Sequence, residues 1–192
     1  VLLRSVKRNG EPITNALRES GIPFVVVGMT NLFGAAEAEA ARQLFYFMAG
    51  HNGVDDVAIE RTWTDASLGA DPADLRRAID RAAESRRSLT DPDQKRWGLY
   101  SVQRLLLNFL EDAGVREERV PGGRGEVVLY NLGKFSQLIS DFETIHYHSK
   151  PAEKYDSFAK FLEFRAEDAY PEGWQNNQYA NPDAVRVMTV HQ

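Results

Sequence analysis

Apolar positions along the chain change period twice. Val1-Leu2-Leu3 and Phe24-Val25-Val26-Val27 are short continuous apolar runs, and Val185-Arg186-Val187-Met188-Thr189-Val190 is another β-forming stretch near the far end. Continuous β-branched runs of this kind suit strands covered on both faces of a parallel sheet. Between the first two, Ile13, Ala16 and Leu17 share one helical face. Glu11-Pro12 reads as the helix start, with proline in the first turn, and Gly21 as its stop. A second helix is expected over about 35–49, with Leu44, Phe45, Phe47 and Met48. A strand, a helix and a strand in such quick order imply a right-handed crossover.

From about His51 to Pro182 the strand signals vanish and helical spacing dominates. Asp71-Pro72 precedes a helix with inner face Leu75, Ala78, Ile79 and Ala82 and outer face Arg77, Asp80, Arg81 and Glu84. Asp91-Pro92 opens the next, which carries Trp97, Leu105, Leu106, Phe109 and Leu110 and stops at Gly114. Residues 116–125 read as a polar, glycine-rich loop. A long helix is expected over 127–146, with Leu132, Phe135, Leu138, Ile139 and Phe142. Lys150-Pro151 breaks it, and 155–169 holds Phe158, Phe161 and Leu162. The fold class that follows is mainly α with a small α/β part. Strands near 1–5, 24–27 and 185–190 form a parallel sheet, interrupted by an all-helical insertion over 51–182. Residues 1–50 and 183–192 make up the α/β part. Because both ends are strand-like, the chain is expected to be a piece of a larger protein.

Composition narrows the function classes. With 43% hydrophobic and 27% charged residues the chain has the balance of a globular domain. No cysteine is present, which removes disulfides, thiolate metal sites and cysteine nucleophiles and suits a reducing cytoplasm. No apolar run approaches the roughly 20 residues of a membrane span. A net charge of −5 argues against a nucleic-acid coat protein, which would bind by neutralising phosphates.

Four groups of residues invite a chemical reading. Arg76, Arg77, Arg81, Arg86, Arg87, Lys95 and Arg96 form a basic cluster, but Asp80, Glu84, Asp91 and Asp93 are interleaved, as on a solvated helix laced with ion pairs. Gly122-Gly123-Arg124-Gly125 lacks the Lys-Ser/Thr of a nucleotide-binding loop and reads as a connector. His146 and His148 are two apart on a helix and do not converge on one metal. Glu143, Glu163 and Glu167 have no partner base or nucleophile at a telling spacing, so no catalysis is assigned to them. Thr189 and His191 differ by location: they sit at the carboxyl end of an expected parallel strand, where open α/β sheets place ligands.

The order of these segments carries a resemblance. Val1-Leu2-Leu3-Arg4-Ser5, Ala16 to Phe24, Val27 to Phe33 with Glu37 four residues on, and Ala184 to Gln192 resemble superfamily 1 DNA helicases of the UvrD/Rep/AddA group. The first stretches are similar to the second RecA-like motor domain, 2A, and the last to the first half of motif V. The helical block stands where that family inserts subdomain 2B, with Asn131-Leu132 after Arg124-Gly125-Glu126 as further points of likeness. The resemblance implies a parent that hydrolyses ATP with Mg2+ between domains 1A and 2A, steps 3′ to 5′ along single-stranded DNA, and serves repair or recombination. It implies DNA-backbone contacts for Arg4, Ser5, Thr189 and His191. For the helical subdomain it implies contact with duplex DNA, a protein partner or the other motor domains.

The chain also departs from that family. Val6 replaces a common asparagine and Ala40 a common acidic residue, and Ser67-Leu68-Gly69-Ala70-Asp71 keeps only one glycine of a duplex-gripping hairpin. The phosphate-binding loop and the metal-holding acidic pair are absent, so this chain alone is expected to hydrolyse no ATP. A reading of another class stays open, in which the helical block is a non-catalytic protein-interaction module.

Overall fold

The computed structural model describes residues 1–4, 6–26, 32–51, 53–89, 101–166, 173 and 184–189. Strand β1 (Leu2–Leu3) leads into α1 (Val6–Glu19), followed by β2 (Phe24–Val26) and a 3-10 turn (Leu32–Gly34). Helices α2 (Ala36–Ala49), α3 (Asp56–Asp65), α4 (Pro72–Leu89) and α5 (Val102–Asp112) come next. Two further 3-10 turns (Glu117–Arg119 and Pro121–Gly123) precede α6 (Gly125–Ile145), α7 (Pro151–Phe164) and β3 (Val185–Thr189). The fold is mainly helical with a small parallel sheet.

The three strands run parallel in the order β1-β3-β2. Leu2 pairs with Met188 and Leu3 with Thr189; on the other side Phe24, Val25 and Val26 pair with Val185, Arg186 and Val187. Met188 N–H donates to the Val1 carbonyl at 2.9 Å, and Val185 N–H to that of Pro23 at 2.8 Å. The last strand therefore lies between the first two, with all of α2 to α7 intervening in sequence.

Helix α1 packs across all three strands. It begins five residues before the expected start, and Pro12 lies inside it. Proline there cannot bond back to the carbonyl of Arg8, a loss that isolated helices tolerate poorly. The helix continues because Gly10 is buried and Ile13 and Leu17 are half-buried, so packing outweighs local propensity. Its end follows the sequence signal: Gly21 adopts φ +66°, while Gly21 and Ile22 N–H groups bond to the carbonyls of Arg18 and Leu17. This is a Schellman closure, which needs a left-handed residue at that point.

The helical block has one continuous hydrophobic core running from Leu32 to Ala166. Helix α2 sides with it, packing on α3, α6 and α7. Phe45 is fully buried at its centre, 4.8 Å edge-to-face from Phe158 and stacked 6.0 Å from Phe135. Leu75, Ala78, Ile79 and Ala82 of α4 are buried, as their spacing predicts. Helix α3 is an addition to the sequence reading. Asp55 caps it by accepting from Ala58 N–H at 2.8 Å, and Ile59 and Trp63, one turn apart, are its buried anchors. Trp63 Nε1 donates to the Ala40 carbonyl at 3.0 Å. The start expected at Asp91-Pro92, with Trp97, lies outside the described residues; α5 is capped by Ser101, which accepts from Arg104 N–H at 3.1 Å. Pro151 begins α7 at its first position, where the missing N–H costs nothing.

Among the described residues a few buried side-chain polar atoms lack a hydrogen-bond partner, the Tyr155 hydroxyl among them. The Tyr155 hydroxyl, on a side chain 1% exposed, makes no hydrogen bond. Burial, and then the nearby Glu143 carboxylate, push its pKa well above the usual tyrosine value. An unmade buried hydrogen bond costs about 1–3 kcal/mol, so Tyr155→Phe is expected to leave the folding free energy unchanged or slightly raised at pH 7. The sign at high pH follows from linkage. Above pH 10 the unfolded tyrosine ionises while the folded one stays protonated, so stability falls as pH rises. Urea titrations at pH 7 and pH 11 should show the variant losing less stability than the parent chain. A larger loss in the variant would count against this account.

Candidate nucleic-acid interface

The parallel pairing of β1 with β3 positions the residues singled out at the chain's two ends. Thr189 is the last residue of β3 and is in register with Leu3, and Arg4 follows Leu3 directly. Arg4 and Thr189 thus share the carboxyl edge of two adjacent parallel strands, with α1 starting two residues beyond Arg4. Arg4 is exposed there. A guanidinium at a sheet edge can donate two charge-assisted hydrogen bonds to one phosphate. Ser5 and His191 lie outside the described residues, and of Thr189 only the backbone position is described.

The basic cluster of α4 is used internally. Arg76 Nε pairs with Glu60 at 2.7 Å, Arg77 pairs with Asp74, and Arg81 reaches across to Asp112 of α5. Arg86 lies over the Phe47 ring, 4.8 Å from its centroid. The ion-pair partners are Glu60, Asp74 and Asp112, which are not the interleaved carboxylates of the sequence reading, and the three arginine side chains remain 63–68% exposed. Lys95 and Arg96 lie outside the described residues. Glu143 accepts from Val102 N–H at 2.7 Å, so it caps α5. His146 stacks on Phe142 with centroids 4.2 Å apart, and His148 meets Tyr147 edge-on at 5.1 Å.

No protein-family model matches the chain, and no curated protein matches it.

The structure brings together Glu37, Arg124 and Asn131, which the sequence reading named as separate points of family likeness without joining them. Glu37, in the first turn of α2, has a side chain only 2% exposed. Its carboxylate accepts from Asn131 Nδ2 at 2.5 Å and from Arg124 Nη2 at 3.2 Å. A buried carboxylate needs such partners, since desolvation without them is costly. The available signal was a glutamate inside an alanine-rich apolar segment, but its partners lie 94 and 87 residues away.

The ATP and Mg2+ that the resemblance implies concern the parent protein. Arg124 of the glycine-rich loop is turned to Glu37. Among the described residues no three His, Asp or Glu side chains come together to hold a metal ion. None of the described helices is long and apolar enough to cross a membrane.

Proposed function

We propose that the chain is part of a UvrD/Rep/AddA-like superfamily 1 DNA helicase. The three-stranded sheet with α1 belongs to motor domain 2A, and the helices from α2 to α7 include the 2B insertion. The single observation behind this reading is that β1 and β3 are parallel neighbours with the helical block between them in sequence, bringing Arg4 and Thr189 to one sheet edge. In this reading the edge holds the backbone of single-stranded DNA, and phosphate contacts carry no sequence preference, as an enzyme that travels along any strand requires. ATP and Mg2+ belong to parts of the parent beyond these residues. The action of this chain is positional: Arg4 fixes a phosphate, while Ser5, Thr189 and His191 extend that contact along the strand.

Fluorescence anisotropy with a labelled oligothymidine tests it. Weak binding is expected at low salt, falling steeply as salt rises, because each neutralised phosphate releases condensed counterions. Arg4→Ala should weaken binding several-fold and flatten the salt slope by about one phosphate's worth. Equal affinity and slope for the variant and the parent chain would remove Arg4 from the interface. Indifference to DNA at every salt concentration would favour the second reading, a helical module acting through protein partners. The strongly exposed Ile145, the last residue of α6, and Tyr147 just after it support that alternative.

A further inference from the structure

Helix α5 carries its end charges the wrong way round. Its first turn holds Arg104 and no acid, and its last turn holds Glu111 and Asp112 and no base. Helix ends favour the opposite arrangement, acids at the start and bases at the finish. Asp112 is answered within the chain by Arg81 of α4. Arg104 and Glu111 are exposed, and among the described residues neither side chain forms an ion pair. Leu107 stands between them. Residues 104, 107 and 111 fall on one helical stripe, which reads basic, apolar, acidic over about 10 Å. Leu107 is 52% exposed, and Asn108 beside it is exposed too.

The neighbouring helix leaves room next to that stripe. Gln103 Nε2 donates to Ser136 Oγ at 2.9 Å, and Glu117, just past α5, meets Gly125 at the start of α6, so the two helices run antiparallel. One turn from Gln103 along α5, and one turn back from Ser136 along α6, bring Leu107 beside Gly133. A further turn back along α6 reaches Leu129, which is 38% exposed. Gly133 lies in the interior of a 21-residue helix, and a Cβ there would meet nothing within 4 Å. Glycine weakens a helix interior, and neither a positive φ nor close packing within the chain calls for it at this point. A notch therefore lies open beside an exposed leucine.

We propose that this stripe is an interface between two copies of the chain. A two-fold axis passing between Leu107 and Asn108 sets the two α5 helices antiparallel, and Arg104 and Glu111 are equally far from that axis in sequence. Arg104 of each copy then meets Glu111 of the other, while the Leu107 side chains pack together over the Gly133 notches. Closure by a second copy demands a self-complementary patch, and opposite charges at the two ends of an apolar centre supply one. The pairing answers both charges left unanswered within the chain. It also brings each Glu111 to the N-terminal turn of the other copy's α5, where negative charge is favoured. The patch is small, so the dimer is weak and depends on concentration. It rests on nothing in the DNA-binding reading.

Sedimentation velocity from low to high micromolar chain tests the interface. The unaltered chain is expected to pass from monomer to dimer, and the dimer to weaken as salt rises. Arg104→Glu turns both symmetry-related contacts from attraction to repulsion and should weaken association roughly tenfold or more, as should Glu111→Arg. Both substitutions suit the helix dipole better than the residues they replace, so neither loss can be assigned to a weaker α5. An equimolar mixture of the two variants restores opposite charges in both contacts and should associate as tightly as the unaltered chain. Should either variant fail to fold by circular dichroism, Leu107→Gln removes the centre of the patch at an exposed position and should weaken the dimer by a similar factor. A chain monomeric throughout would overturn the proposal and leave the patch to a different partner or to none. A dimer indifferent to these substitutions, or a mixture no tighter than its components, would equally overturn it.

Discussion

Phe45→Ala should destabilise the chain by about 3–5 kcal/mol, the range for deleting a large ring from a core that cannot collapse around the void. Phe45 is fully buried and meets three rings from two other helices: Phe135 on α6, and Tyr155 and Phe158 on α7. Its loss removes transfer free energy and also the edge-to-face contact with Phe158 at 4.8 Å, and aromatic pairs add about 0.5–1.5 kcal/mol beyond area. A melting temperature lower by on the order of 10 °C should accompany it in a chain of this size. Phe164→Ala serves as the comparison. That ring is 68% exposed and its removal should move stability by less than about 0.5 kcal/mol. Chemical denaturation of the two variants measures the contrast, and similar losses for both would contradict the placement of Phe45 at the centre of the core.

Gly69→Ala is the second large effect. Gly69 has φ +73°, and a Cβ there would stand 2.5 Å from both the carbonyl carbon and the oxygen of Arg119. The left-handed conformation alone costs a residue with a Cβ about 1–2 kcal/mol. Overpacking against backbone adds roughly 1–3 kcal/mol more. Gly53→Ala separates the two contributions, because Gly53 has φ +85° and nothing within 4 Å of its Cβ position. Gly69→Ala should therefore cost about 3 kcal/mol and Gly53→Ala about a third of that. Equal costs in urea titrations would mean that the contact with Arg119 is absent. Gly69 lies in the segment compared with a duplex-gripping hairpin. Here Leu68 is buried and Gly69 backs onto Arg119, so the segment serves as a packed corner between α3 and α4.

The helical faces were legible wherever several large apolar residues recur at helical spacing, as in α4 and α6. Helix α3 was faint because Ile59 and Trp63 are its only two buried anchors, while Val57 on the same helix is 71% exposed and blurs the period. Pro12 misled for a different reason. Its residue preference points to a first turn, but α1 is stabilised by packing across three strands, a tertiary effect that no local window contains. The sheet was readable as three β-forming runs, and the neighbour relation of the first and last came from the order of resembling segments. Of the proposed interface, the common edge of Arg4 and Thr189 follows from that relation. The Glu37 cluster could not be read in advance, because a salt bridge spanning 87 residues leaves no periodic trace.

The middle position of β3 has a consequence for how the protein is made. β1 and β2 have no hydrogen-bonded strand between them until residues 185–189 arrive, so a ribosome completes every helix of the block before the sheet can close. Contacts this distant in sequence are slow to form. Two apolar segments made before β3 meanwhile offer bare edges to any passing β-strand. Shielding of those segments during synthesis, as by a chaperone, would govern how much protein reaches the native state.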